Sequence, residues 1–309
     1  MTASILTNVG AMTALQTLTS TNQQLEMTQD RISTGMRVAK AKDNAAYWAI
    51  ATTMRTDLVG YQAISDAIGL GQATADVAST ANESIVNLLK DMKQRLVAAQ
   101  DAGVDKEKIN DDIQQLKGQI LSVVNSANFN GNNWLDGSIN DTNNNGNPVN
   151  ILASLVRTGA TVTPQNIVFD PGQTAYVGAA VGDGHFTTQL SGGAAGLIAN
   201  GILDAAFAID NTTTAADLAD ALGEVEAAVA KATEVGSTLG SIEKRLGIQH
   251  DFVQKLADAA ERGIGVLVDA DMNRESARLK ALQVQQQLGI QALTIANGAP
   301  QNILALFRG

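Results

Sequence analysis

The residues best suited to chemistry are few, and their spacing is wrong for it. His185 and His250 are the chain's two histidines, and neither stands in a His-x-x-His or His-Glu-x-x-His pattern that would hold zinc. Asp141-x-Asn143-x-Asn145-Gly146 opens like a calcium loop. Its twelfth position is Leu152 where a bidentate glutamate belongs, and Pro148 interrupts it, so an Asn-rich turn is expected. Gly182-Asp183-Gly184 and Gly192-Gly193 lack the Lys-Ser/Thr that completes a phosphate loop. The adjacent carboxylates Asp111 and Asp112 read as charges on a solvated helix face, and no serine sits in a nucleophile elbow. Arg37, Lys40 and Lys42 form a short basic cluster, expected to answer Asp269 and Asp271 on a neighbouring helix. With no cysteine, disulfide and thiolate chemistry are excluded. The expectation is no catalytic site, no metal and no cofactor.

The elements that would position a site are more informative. Of 309 residues 45% are hydrophobic but only 4% aromatic, and Gly numbers 28, which suits slender, closely packed helices. A net charge of -10 argues against a nucleic-acid scaffold. No run of about 18 apolar residues is present to cross a membrane, and the N-terminus lacks the basic and apolar regions of a cleaved Sec signal.

The two ends mirror each other. Residues 2–25 carry no charged side chain, and Leu15, Leu18, Leu25 and Ile32 recur among Ser, Thr, Asn and Gln. Between Lys280 and Arg308 charge is again absent. There Val284, Leu288 and Ile295 continue one row through Ala277 and Ala281, with Leu279, Leu282, Ile290 and Leu293 in a second row beside it. Apolar residues at steps of three and four give an amphipathic helix. Such helices without charged outer faces are expected to pair with each other and to be surrounded by more protein.

Between the ends, Ser33-Thr34-Gly35 predicts a break, and Asp43-Asn44 a helix start. Helical patterning covers roughly 62–100 and 105–124, then resumes after the N-cap candidates Thr212, Thr213 and Thr214 as one long helix ending near Gly263 and Gly265. Asn130-Gly131 and Asp136-Gly137 signal turns. Beyond them, short β-like runs at 149–152, 167–169, 175–177 and 186–190, with a short helix at 197–209, describe a small insert expected to hang at the far end of two helical halves. The fold class is therefore mainly α, with paired long terminal helices forming a coiled-coil-like rod and a small β-containing outer insert. The expected divisions are an inner domain of 1–44 and 266–309, a helical rod of 45–136 and 212–265, and an outer domain of 137–211.

Residues 31–46 read Arg-Ile-Ser-Thr-Gly-Met-Arg-Val-Ala-Lys-Ala-Lys-Asp-Asn-Ala-Ala. Through Arg31, Ser33, Gly35, Asp43, Asn44 and Ala46 this closely resembles a bacterial flagellin signature, Arg-Leu-Ser-Ser/Thr-Gly followed by Asp-Asn/Asp-Pro/Ala-Ala. The likeness extends upstream through Ala14, Leu15, Leu18, Gln24 and Leu25. A second block, Arg274-Glu275-Ser276-Ala277 through Gln287 and Ala296-Asn297 to Leu306, is similar to the family's C-terminal signature. Together they cover roughly 1–136 and 212–309. The chain closes on Leu306-Phe307-Arg308-Gly309, where many members close on Leu-Leu-Arg.

The resemblance implies a non-enzymatic, secreted structural subunit that polymerises with itself into the flagellar filament, leaving unfolded through the flagellar type III apparatus. Implied partners are an export chaperone at the C-terminus, cap and hook-junction proteins, and sister flagellins; no nucleic acid or membrane partner is implied. Self-assembly would fall to Leu15, Leu18, Leu25, Ile32, Val284, Leu288, Ile295, Ile303, Leu306 and Phe307. Aligned with the family's innate-immune receptor motif, Leu-Gln-Arg-Val-Arg-Glu-Leu, residues 89–95 keep Leu89 but place Asp91 at the first Arg and Arg95 at the last Leu. Weakened recognition is expected. A hook–filament junction protein would share both helical ends, and a secreted hydrolase or adhesin on a helical stalk would place activity in 137–211.

Overall fold

The computed structural model describes residues 8–101, 103–137, 149–159, 161–170, 174–177, 201–203 and 207–306, with side chains to residue 298. In chain order the elements are α1 (Val9–Thr34), α2 (Ala45–Ala98), α3 (Lys106–Ser126), β1 (Asn128–Phe129), β2 (Asn132–Asn133), β3 (Val149–Thr158), β4 (Thr161–Phe169), α4 (Ala215–Val268) and α5 (Met272–Leu306). The architecture is mainly α, with long terminal helices in contact and a small strand-containing middle.

Local chemistry sets the helix ends. The Asn8 side chain accepts from Ala11 N to cap α1, and Gly35, at φ 71°, ends it in the left-handed region where a Cβ would be strained. Asn44 Oδ1 accepts from Tyr47 N to start α2, and Asp105 caps α3. Thr214 and Asp217 form a reciprocal cap for α4: Thr214 N donates to Asp217 Oδ2 at 2.9 Å, and Asp217 N donates to Thr214 Oγ1 at 3.2 Å. The β1–β2 turn places Asn130 at φ 52° and Gly131 at φ 85°, the two positive angles that the Asn-Gly dipeptide predicts.

Several expectations are corrected. Helix α4 does not end at Gly263 or Gly265 but continues to Val268. A glycine inside a helix costs only about 1 kcal/mol, and packing offsets it: a Cβ on Gly263 would lie 2.7 Å from Met54 Cε, so the gap is what admits the methionine. Helix α2 starts at Ala45, where Asp43-Asn44 predicts, and runs unbroken into the stretch patterned from about 62. Residues 175–177 form a turn rather than a strand, and 201–203 and 207–209 are not helical. The runs at 186–190, the rest of 197–209, the calcium-like loop and His185 lie outside the described residues.

The chain divides into two compact units. The first is Met1–Val59 with Asp258–Gly309. In it α1 and α5 pack antiparallel, and a small core gathers Ala51, Ile264 and Val268 with Met36, Met54 and Leu58 around them. The junction is tied by backbone: Arg37 N and Val38 N both donate to Val268 O, and Ala270 N donates to Gly35 O.

The second unit, Gly60–Ala257, holds the main core. A row of buried positions on α2 falls at 64, 68, 71, 75, 78, 82, 85, 89, 92 and 96, alternating steps of four and three, with Thr74 and Ala81 buried beside it. On α4 the matching row falls at 218, 221, 225, 228, 232, 235, 239, 242 and 246, with Glu224 and Val253 also buried. This is the 3.5-residue period of a coiled coil. The helices run antiparallel, since Gly236 faces Asn82, Gly247 faces Gln72, and Lys93 pairs with Glu226. Strands β3 and β4 form an antiparallel hairpin with a register shift between Leu152 and Ser154. The hairpin does not hang at the far end of the helical halves. Ile151, Ala153, Ile167 and Phe169 are buried, Ile151 and Leu155 crowd Gly71 and Gly60 of α2, and Gln249 Nε2 of α4 donates to Ala153 O at 2.8 Å. A hairpin with an apolar face needs a surface to cover it, and the helix pair supplies one.

Candidate functional site

The charge-free ends of the chain meet along the α1–α5 seam. The α5 positions turned toward α1 are Glu275, Leu279, Leu282, Gln286, Gly289, Leu293 and Ala296, all buried or half-buried and again at steps of four and three. From α1 they meet Ala11, Ala14, Leu18, Thr21, Leu25, Thr28 and Ile32. Gly289 receives Leu18, whose Cδ1 would stand 3.3 Å from an added Cβ.

Polar contacts fix the register of this seam. At one end Asn8 Nδ2 donates to Ala296 O at 2.7 Å. Midway Gln286 Nε2 donates to Asn22 Oδ1 at 2.8 Å. At the other end Arg31 Nη1 meets Glu275 Oε1 at 3.3 Å. The second oxygen of Glu275 is buried without a hydrogen-bond partner among the described residues. Apolar burial along the seam is thin. Leu282 is the one apolar side chain of α5 that is fully buried among the described residues, and the buried residues of α1 are Thr21 and Thr28.

The residues expected to carry self-assembly therefore fall into two sets. Leu18, Leu25 and Ile32 are half-buried in the seam. Leu15, Val284, Leu288 and Ile295 point away from it and are 55%, 55%, 58% and 75% exposed. The side chains of Ile303 and Leu306, and all of Phe307, lie outside the described residues. The outward set is larger than the sequence reading proposed, since Val9, Met12, Met27 and Ile290 are also exposed. Val9 and Met12 share the charge-free run with Leu15, which was signal enough to find them. On α5 the outward positions Ala277, Ala281, Val284, Leu288, Gln291 and Ile295 repeat the same alternating steps, offset by two residues from the inward row. One helix thus carries two heptad faces, of which α1 covers one.

The signature residues are placed at the loop between α1 and α2. Gly35 ends α1, Asn44 caps α2, and Asp43 Oδ2 accepts from Ala39 N and Lys40 N at 3.1 and 2.9 Å. The hydrogen bond from Lys40 N leads in holding the Asp43 carboxyl below the usual range. Arg31 is tied to Glu275, while Ser33 and Ala46 are exposed. The basic cluster does not answer Asp269 and Asp271. Arg37 instead donates to the carbonyls of Val266 and Leu267 at 3.3 and 3.0 Å, in the last turn of α4, where helix carbonyls lack partners and a cation is favoured. Asp271 caps α5 by accepting from Asn273 N and Arg274 N.

Elsewhere, Leu89 is buried in the main core, Asp91 is exposed, and Arg95 pairs with Asp112 at 3.3 Å. His250 Nε2 lies 3.1 Å from Ser65 Oγ in a contact between α2 and α4. Lys117 is buried, donates to Phe207 O at 3.2 Å and stands 5.7 Å from that ring's centroid. Among the described residues no group of His, Cys, Asp and Glu is placed to hold a metal ion, and no helix is long and apolar enough to cross a membrane.

Comparison with known proteins places these surfaces in a family. The model of the bacterial flagellin N-terminal helical region matches residues 5–140, and that of the bacterial flagellin C-terminal helical region matches residues 222–307. Flagellin C of Rhizobium meliloti (strain 1021) is 42% identical, with 99% of this chain and 99% of the relative covered. Flagellin of Brucella melitensis biotype 1 is likewise 42% identical, over 99% of this chain and 100% of the relative. A crystal structure of Bacillus cereus flagellin aligns at 20% identity with a TM-score of 0.38, over 62% of this chain and 88% of that one. With both helical regions matched and near-complete coverage of its relatives, the chain belongs to the bacterial flagellin family.

Proposed function

We propose that this structural subunit of the flagellar filament polymerises through the outward faces of α1 and α5, after export in an unfolded state by the flagellar type III apparatus. The observation that carries the reading is the second heptad face of α5. Val284, Leu288 and Ile295 stand exposed in a stretch free of charge, where solvated helices ordinarily carry lysine and glutamate. An exposed apolar row of this kind marks a surface meant to be covered. Neighbouring subunits supply the cover, and a net charge of -10 per chain makes such contact necessary to offset mutual repulsion.

In this reading residues 1–44 and 266–309 form the inner core of the filament. Residues 45–136 and 212–265 form a helical rod around it, and 137–211 face outward. The C-terminal helix serves twice. An export chaperone holds it in a groove as an amphipathic ligand, and the growing tip beneath the cap receives it on subunits already in place. The hook-junction proteins share the same mode of contact at the filament base, and sister flagellins co-polymerise by it. The finished polymer is extracellular and turns as the propeller of swimming motility.

Electron microscopy of the purified chain with and without residues 1–20 tests the mechanism. The full chain forms long filaments and the truncated chain forms none; long filaments from the truncated chain would overturn the reading. Because the α1–α5 seam buries so little apolar surface, both termini exchange their amide hydrogens readily in the free monomer and become protected on assembly. Strong protection of 9–30 and 275–298 in the monomer would contradict this.

A further inference from the structure

Asn82 places an amide in the α2–α4 seam. It occupies a core position of α2 between Ala78 and Ile85 and is 5% exposed. An amide at such a position weakens a coiled coil unless it is given room and a partner, and where both exist it selects one register. Room comes from α4: a Cβ on Gly236 would lie 2.8 Å from Asn82 Nδ2, so any side chain there would displace the amide. A slip of one heptad would set Asn82 against Val229 or Glu243, where a Cβ already stands.

The partner comes from the middle of the sequence. The hydroxyl of Tyr176, fully buried, donates to Asn82 Oδ1. Burial pushes the phenol well above its ordinary range, so the group remains a protonated donor. The segment around it is clamped in turn. Tyr176 N donates to Leu135 O at 2.7 Å, and Thr174 Oγ1 donates to Trp134 O at 2.7 Å. That loop is tied to α3 through Asn133 Nδ2 and Val124 O, and Trp134 packs on Phe169 of the hairpin at 4.6 Å between centroids.

We propose that Asn82, Gly236 and Tyr176 form a register pin, through which the pairing of α2 with α4 and the seating of the 174–177 segment become one cooperative event. The amide is tolerated in the seam only when the tyrosine is seated. The helices in register present Asn82 Oδ1 to the tyrosine hydroxyl. Tyr176 is a positioning residue that ties the middle of the chain to the rod.

The test is hydrogen exchange on the full-length monomer, read at the residue 176 amide, together with thermal melting. Tyr176→Phe keeps the ring and removes the hydroxyl, and it raises exchange at that amide about tenfold, equivalent to about 1.4 kcal/mol. Asn82→Ala does the same, and the double variant exchanges no faster than either single one. Gly236→Ala lowers the melting midpoint when Asn82 is present and leaves it unchanged in the Asn82→Ala background. Additive effects of Tyr176→Phe and Asn82→Ala, unchanged exchange in Tyr176→Phe, or equal destabilisation by Gly236→Ala in both backgrounds would each overturn the pin.

Discussion

Replacing Leu288 by alanine separates assembly from folding more cleanly than any other single change on α5. The side chain is 58% exposed in the free chain. Complete burial of a leucine yields about 1.5–3 kcal/mol, so the exposed part has about 0.9–1.7 kcal/mol left to contribute when a neighbour covers it. One such contact forms for each subunit added. The critical concentration for elongation therefore rises about five- to twentyfold, since about 1.4 kcal/mol is a factor of ten. The assay is seeded elongation from filament fragments, with the residual soluble protein measured after pelleting. Monomer stability shifts by no more than about 0.5 kcal/mol, as expected for a surface position. Leu282→Ala is the matching control. At 4% exposure its side chain is committed to the α1–α5 seam, so its loss weakens pairing within the chain and leaves the outer face intact. Ile295→Ala, one heptad away and 75% exposed, adds to Leu288→Ala within about 0.5 kcal/mol. A critical concentration unchanged within about twofold would refute the claim that α5's outer face is covered in the filament.

Three further outcomes follow from particular contacts. Arg31→Ala loosens the α1–α5 seam by about 1–3 kcal/mol, because it strands the buried Glu275 carboxylate; Arg31→Ala/Glu275→Ala recovers most of the loss, read by amide exchange in α5 within assembled filaments, where the seam is protected. Hydrogen bonds from Thr214 hold the Asp217 carboxyl below its ordinary value, so this cap is intact above the ordinary carboxylate range. It is lost as pH falls through the lowered folded value, and amide exchange in the first turn of α4 rises there; Asp217→Asn removes that dependence. If residues 89–95 take the place of the innate-immune receptor motif, as the resemblance implies, activation of that receptor in reporter cells falls below that given by an enteric flagellin, and Asp91→Arg raises it.

The helical frame was legible because its causes are local and periodic. Caps at Asn44, Asp105 and Thr214, the turn at Asn130-Gly131, and the stop at Gly35 all act within a few residues of themselves. What escaped notice depends on partners far away in sequence. On α4 the large residues Leu222 and Val229 pack at the edge of the seam, whose centre falls on Ala221 and Ala228. Small residues at the centre let two helices approach closely, and that preference is invisible until the second helix is present. The burial of Lys117 is illegible for the same reason. Phe207, far away in sequence, supplies it with both a carbonyl and a ring face.

The two rows of α5 show where sequence reasoning stops and what a partner adds. Leu279 and Leu282 lie on one row, Val284, Leu288 and Ile295 on the other, and both obey the same heptad spacing. Nothing in their residue types says which row pairs within the chain. The polar contacts decide it: Gln286 with Asn22 and Glu275 with Arg31 sit on the first row and have partners on α1 alone. Such contacts contribute little to affinity and much to register. They commit the first row to α1 with modest apolar burial, and the better apolar residues stay on the free face. The proposed cycle, export in an unfolded state followed by polymerisation, needs that division. A strong internal seam would hold the termini folded too early, and a weak outer one would let the filament fall apart.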